Sequence, residues 1–354
     1  MYKKELDILK SKGRFRERKI YKNAIDLASN DYLGLAEDEE ILDKAYFFAK
    51  KLKLHGSKAS MLVNGYNEAH KLLEDKLKEL NNFEDALVVG SGFLGNLALF
   101  ELGRKGDLFL VDSEYHASGI VGSKITGAKV KFFNHNDLND LKEKSKDYKK
   151  YKRVFVVVEG IYSMAGDLVS KEITDFAREI GYLIIDEAHS VGVIGKNLMG
   201  ITDEYNLDTK KTIKMGTLGK ALGSYGAYIL GNGEVINYLL NRAKSVIYTT
   251  ALSPMDSLLA YFALEKIQDN LSEFKALISE RKLTYNLNSL IKIIPEIDNL
   301  TLKRKQNELL EKNIIVGAIR PPTVKQPIYR VILRTNVKMD IISKTINYLE
   351  RGKC

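Results

Sequence analysis

Apolar residues fall in short bursts through the middle of the chain. Seven of them, ALVVG, DLFLVD, KVKFFN, RVFVVVEG, YLIID, TIKMG and GAYILG, are of strand length, and most are separated by helix-length segments. That alternation predicts an α/β architecture, a seven-stranded, mainly parallel sheet with helices on both faces. Ahead of it, the stretch to Ala24 predicts a basic helix and linker. Asn30, Asp31 and Gly34 then punctuate a turn, residues 41–54 predict a helix, and HGSKASMLVNGY reads as a loop. From Glu68, the spacing of Ala69, Leu72, Leu73, Leu77 and Leu80 predicts a helix with one face on the body. Beyond Pro254 come long helices, short strands at NIIVGAI and IYRVIL, and a last helix, together a smaller α+β domain. The expected organisation is an N-terminal helix and linker over residues 1–40, a large domain over 41–250 and a small C-terminal domain over 251–354. No internal repeat or low-complexity segment interrupts it.

At 354 residues and 45% hydrophobic, the chain can bury a large core. Its formal charge of +9 arises from 55 basic and 46 acidic residues. The local excess from Lys142 to Arg153 is broken by acids, so it reads as a solvated helix face and not as a nucleic-acid patch. A basic surface can still steer an anionic substrate. The opening segment is charged and no apolar run is as long as a membrane span, which predicts a cytoplasmic protein without a membrane partner. Cys354 is the only cysteine, so neither an intrachain disulfide nor a thiolate metal cluster is expected.

Three stretches carry chemistry. In TIKMGTLGKALGSYGA, Lys220 stands in a Gly-rich loop after a buried strand; a surface lysine in a turn is the plain alternative. In YLIIDEAHSVGV, Asp186, Glu187 and His189 close an apolar run, at the strand end where open α/β sheets place ligands. In GSGFLGN, Gly90, Gly92 and Gly95 let backbone approach a ligand and open a helix whose first N–H groups suit an anion. The GKS or GKT ending of a P-loop is missing, and the run is not taken as a dinucleotide site; an ordinary strand-to-helix turn is the other reading. A lysine, a strand-end aspartate and a phosphate cradle together suggest pyridoxal 5'-phosphate.

DLASNDYLGL, NGYNEAHKLLE, GSGFLGN, EYHAS, NHNDL, EGIYSMAGD, IDEAH, TLGKALG, IYTTALSP and AIRPPTV occur in the order seen in the α-oxoamine synthases. The chain resembles that branch of the fold type I pyridoxal-phosphate transferases over almost its whole length. Within the branch it is most similar to the members that condense L-alanine with a pimeloyl thioester, carried on coenzyme A or acyl-carrier protein, in biotin synthesis. The resemblance implies that Lys220 forms the Schiff base and moves the amino-acid proton. Asp186 would face the pyridine nitrogen, His189 the phenolic oxygen, and His116 would stack on the ring. Ser91, Gly92, Phe93 and Thr217 would hold the phosphate, with Ser163 near the ring and Thr249 or Thr250 reaching in from the partner of a homodimer. Arg330, assisted by Asn30, would hold the substrate carboxylate; Arg320 and Arg16 are candidates for the acyl end. Surface ion pairing is the alternative for Arg320 and Arg330.

Lys58, Ala59, Met61 and Ala165 depart from the pattern common in the branch, which leaves the acyl contacts open. Rival readings are a glycine C-acetyltransferase or another synthase of the branch, an aminotransferase, and a catalytically silent regulatory or nucleic-acid-binding chain on the same scaffold.

Overall fold

The computed structural model describes residues 1–12 and 14–351; Cys354 lies outside the described residues. Its contacts divide the chain into two compact units, one of residues 31–163 and 167–280, the other of residues 1–30, 164–166 and 281–354. These limits differ from the expected boundaries at 40 and 250. The helix Pro254–Asp269 packs against the helices Glu39–Leu52 and Glu68–Asn81, so it belongs to the larger unit. The first strand of the chain, β1 (Ile25–Leu27), pairs instead into the smaller unit's sheet.

The larger unit is built on a seven-stranded sheet of β2 (Asp85–Val89), β3 (Leu108–Asp112), β4 (Lys129–Phe133), β5 (Val154–Glu159), β6 (Tyr182–Asp186), β7 (Thr212–Thr217) and β8 (Ala227–Gly231). All seven coincide with the expected apolar bursts. Their order is β2-β8-β7-β6-β5-β3-β4, and β8 runs antiparallel to both neighbours while the other pairs are parallel. Side chains alternate between the faces of each strand. One face carries Leu87, Val89, Phe109, Val111, Phe155, Val157, Ile184, Ile213, Met215 and Ile229, packed with Ala98, Leu99 and Phe100 of the helix Gly92–Phe100. On the other, the Lys214 ammonium is buried and donates to Asn81 of the helix Glu68–Asn81, to Thr202 Oγ1 and to the Met199 carbonyl. Burial lowers the Lys214 pKa to about 8. Glu187, which follows β6, accepts the Ile201 and Thr202 N–H groups and the Ser190 hydroxyl. It therefore caps the short helix Ile201–Glu204.

The smaller unit holds a four-stranded sheet, in the order β1-β10-β11-β9, of β1, β9 (Ile291–Pro295), β10 (Ile314–Ile319) and β11 (Ile328–Ile332). Only β10 and β11 were expected. The helices Asn299–Glu311 and Met339–Arg351 belong to the same unit. Among the described residues no helix is long and apolar enough to cross a membrane, and no group of metal-ligating side chains occurs.

Candidate active site

Lys220 sits in the turn joining β7 to β8. That turn is closed by Leu218 N–H to Gly226 O at 2.9 Å, Ser224 N–H to Leu218 O at 2.8 Å and Gly223 N–H to Lys220 O at 3.0 Å. Gly223 and Gly226 have positive φ, at 59° and 112°, which a side chain there would strain. The half-buried Lys220 Nζ lies 2.8 Å from His189 Nε2, and His189 Nδ1 lies 2.6 Å from the Tyr32 hydroxyl. With the ammonium donating to Nε2, the neutral ring donates from Nδ1 to the Tyr32 oxygen.

Asp186 ends β6 and is 4% exposed. Its Oδ1 accepts the Ala188 N–H at 2.9 Å and its Oδ2 accepts from Asn96 Nδ2 at 3.0 Å. Asn96 donates its second amide hydrogen to Ser118 Oγ at 2.9 Å and accepts from the Tyr115 hydroxyl, so the whole amide is fixed. Ser118 and its N–H in turn engage His116 Nδ1, at 2.7 and 3.3 Å. Loss of water around the His116 ring lowers its pKa; Asp186 pulls it up and Lys220 pushes it down. Register aligns Glu159 of β5 with Asp186. Alternation puts Glu159, Asp186 and Thr217 on the face that the helix Gly92–Phe100 covers.

Two histidines and an aspartate thus converge with Lys220 at the carboxyl ends of β3, β6 and β7. The aminotransferase class I and II family model matches residues 22–346. The chain belongs to that family. The 8-amino-7-oxononanoate synthase of Helicobacter pylori is 43% identical to it over 99% of this chain and 96% of that protein. A solved 8-amino-7-oxononanoate synthase from Francisella tularensis superposes with a TM-score of 0.76 at 29% identity, over 93% of this chain and 98% of its own. Sphingomonas wittichii serine palmitoyltransferase gives a TM-score of 0.89 over 98% of this chain and 95% of its own, and at 22% identity shows the fold alone. The chain is an α-oxoamine synthase, a pyridoxal-phosphate-dependent acyltransferase of the aminotransferase class I and II family.

The residues present fit the family's cofactor. Ser91 Oγ caps the helix Gly92–Phe100 by accepting the Leu94 N–H at 3.2 Å. The Gly92 and Phe93 N–H groups belong to the first turn, which has no intrahelical acceptors. A Cβ on Gly92 would come within 2.8 Å of Thr217 Cγ2, so the glycine keeps this cradle open. Thr217 Oγ1 is buried and has no hydrogen-bond partner among the described residues, an orphan that a phosphate oxygen would satisfy. Gly90, Gly92 and Gly95 do have the G-x-G-x-x-G spacing of a dinucleotide loop. Sheet order excludes that use, because β2 pairs with antiparallel β8 and not with the following strand β3.

Of the remaining expected residues, Ser163 donates its N–H to Glu159 Oε2 at 3.2 Å in the larger unit. Thr249 and Thr250 line a small cleft with Met61, Val89 and Gly90. In the smaller unit, Arg330 on β11 is 5% exposed and donates to Asn30 Oδ1 at 2.8 Å. Arg320 follows β10, and Arg16 is exposed in a stretch without regular secondary structure. Sequence reasoning assigned no role to Tyr32, Asn96 or Glu159, although each lies inside a motif quoted for the resemblance. It also passed over His135, held between Asp112 Oδ1 at 3.0 Å and Asp167 Oδ2 at 2.9 Å. Those two carboxylates raise the His135 pKa to about 10 against the cost of burial.

Proposed function

We propose that this chain condenses L-alanine with a pimeloyl thioester to give 8-amino-7-oxononanoate, carbon dioxide and free thiol, a step of biotin synthesis. The observation that carries the reading is the Lys220–His189–Tyr32 chain set beside an Asp186 whose two oxygens both take N–H donors. Full-length kinship to proteins named 8-amino-7-oxononanoate synthase supports the substrate.

Bound at the cradle, pyridoxal phosphate supplies a conjugated ring that accepts the electron pair left when the amino acid loses a proton or carbon dioxide. Ser91, Gly92, Phe93 and Thr217 would hold its phosphate; Asp186, aimed by Asn96, would favour a positive charge at the ring nitrogen. His116 and Ser163 would contact the ring, and His189 the phenolic oxygen. Lys220 Nζ would hold the cofactor at rest and would then take the alanine Cα proton. The freed Cα pair attacks the thioester carbonyl, the C–S bond breaks, and the sulfur leaves as a thiolate that takes a proton from water. The bond from Cα to the original carboxylate then breaks as carbon dioxide departs, and Lys220 returns a proton to Cα. Arg330 with Asn30 is the cation for the amino-acid carboxylate, and Arg320 and Arg16 serve the acyl end.

The active unit in this reading is a cytoplasmic homodimer in which Thr249 or Thr250 completes the other copy's phosphate site. The test is thiol release with L-alanine and pimeloyl-CoA or pimeloyl-acyl-carrier protein, against glycine with acetyl-CoA. Release with acetyl-CoA alone would replace the reading by that of a glycine C-acetyltransferase.

A further inference from the structure

We infer that Glu159 is a positioning residue of this site: a neutral carboxylic acid that seats Ser163 and His116 and leaves Asp186 as the only charged carboxylate of the row. The inference rests on the proposed reading only in taking His116, Ser163 and Asp186 as ring contacts. Glu159 and Asp186 are the last residues of adjacent parallel strands and lie in register. Their side chains therefore project from the same sheet face, with strands about 4.8 Å apart. Both are buried, Glu159 to 2% exposure. Two carboxylates this close and out of water do not both ionise.

Hydrogen bonds decide which one keeps the proton. Each Asp186 oxygen takes an N–H donor, from Asn96 and Ala188. At Glu159 the Ser163 N–H donates to Oε2 and the His116 N–H bears on the same carboxylate, but Oε1 has no hydrogen-bond partner among the described residues. A proton on Oε1 gives that oxygen a donor function and removes the charge conflict. Burial, and then the Asp186 charge, raise the Glu159 pKa well above the usual carboxylate range; the Lys220 charge and the N–H groups of Ser163 and His116 pull the other way and are outweighed. Tyr115 and Tyr162, the remaining titratable groups that feel Glu159, are buried phenols held neutral with it, and Asp112 bears on Tyr162. Glu159 thus ties the backbone of Ser163 to the sheet end while adding no negative charge beside Asp186.

The test reads the proton directly. Infrared spectra of the wild-type protein, loaded with pyridoxal phosphate and unloaded, are compared with those of Glu159→Gln in ordinary and heavy water at about pH 8.5, above the value of about 7 to which burial raises Glu74. Glu74→Gln serves as the control, and cofactor affinity of each variant is titrated by fluorescence. We expect a carboxylic-acid carbonyl band that shifts in heavy water, survives Glu74→Gln and vanishes in Glu159→Gln. The amide, also neutral, should hold cofactor affinity within about threefold, whereas Glu159→Ala should lose about tenfold or more. No acid band in the wild-type protein overturns the inference, and so does equal affinity loss in the Gln and Ala variants. Should Glu159→Gln not fold, the heavy-water shift in the Glu74→Gln protein carrying 13C-labelled glutamate decides alone. None of these readings depends on which thioester the enzyme takes.

Discussion

Replacing Thr217 by valine should move stability and cofactor binding in opposite directions. The Thr217 hydroxyl is buried without a protein partner, and leaving such a group unsatisfied costs about 1–3 kcal/mol. Valine keeps the branched shape and the Cγ2 position that lies against Gly92, while removing the polar atom. The cofactor-free protein should gain up to the lower part of that range, about 1 kcal/mol, read as an upward shift of the denaturant midpoint with unchanged slope. With phosphate in the cradle the same hydroxyl makes a hydrogen bond to a charged acceptor, worth about 1.5–3 kcal/mol. Its loss should weaken pyridoxal-phosphate binding by about 10- to 150-fold. Urea denaturation of the cofactor-free protein and a fluorescence titration with the cofactor measure the two quantities on one preparation. A variant that is no more stable than wild type and binds the cofactor equally well would show that Thr217 does not face the phosphate.

Borohydride reduction of the loaded protein should fix the cofactor on Lys220, and mass spectrometry of the digest would expose any other attachment site. Asp186→Asn should retain cofactor but lose about 100-fold or more in α-proton exchange of L-alanine in deuterated buffer, because the amide supplies no charge to the ring nitrogen; wild-type exchange would refute the role. Arg330→Ala should instead raise the L-alanine concentration needed for half-maximal exchange and leave cofactor loading unchanged, a split that steady-state exchange measures. For His135, the folded pKa of about 10 stands above the ordinary value of 6.5. Its stabilisation is therefore full below about pH 6.5 and is lost as pH rises towards 10. His135→Gln should be less stable at pH 6 and approach wild type by pH 10 in denaturant melts; a constant difference would contradict the ion-pair account.

Legibility in the sequence followed the range of the interactions. Each strand of the large sheet is an apolar burst, and all but the edge strand β4 are buried on both faces, so β2 to β8 could be read locally. Asp186, His189 and Lys220 were visible because polar residues interrupt such bursts at their ends. β1 was not: it has three residues and its partner β10 begins nearly three hundred positions later. β9, IKIIP, is short and mixes a charge into its apolar residues, and its strand character comes from pairing with β11. The helix Pro254–Asp269 was expected in the smaller domain because nothing in its own sequence tells which helices it packs against. Asn96 and Tyr32 look like ordinary helix and turn residues until folding brings Asp186 and His189 to them. Glu159 reads as the polar end of a strand, and only register shows that its neighbour is another carboxylate. The glycine spacing at Gly90–Gly95 pointed nowhere by itself, because its meaning depends on which strand lies beside β2.

The antiparallel course of β8 has a consequence for the timing of turnover. Since the chain doubles straight back after Lys220, Thr217 pairs with Ala227 and both ends of the intervening turn are tied to the sheet. A lysine on a long crossover could be carried in and out of place by its loop. Here the backbone is a fixed post, and the travel open to Nζ is that of its own four methylenes. If Lys220 carries the cofactor as proposed, the moves its amine must make would be rotations about side-chain bonds, far faster than the microsecond-to-millisecond rearrangement of a segment. In the proposed reaction, an amine tethered in this way would stay within reach of the carbon to which it must return.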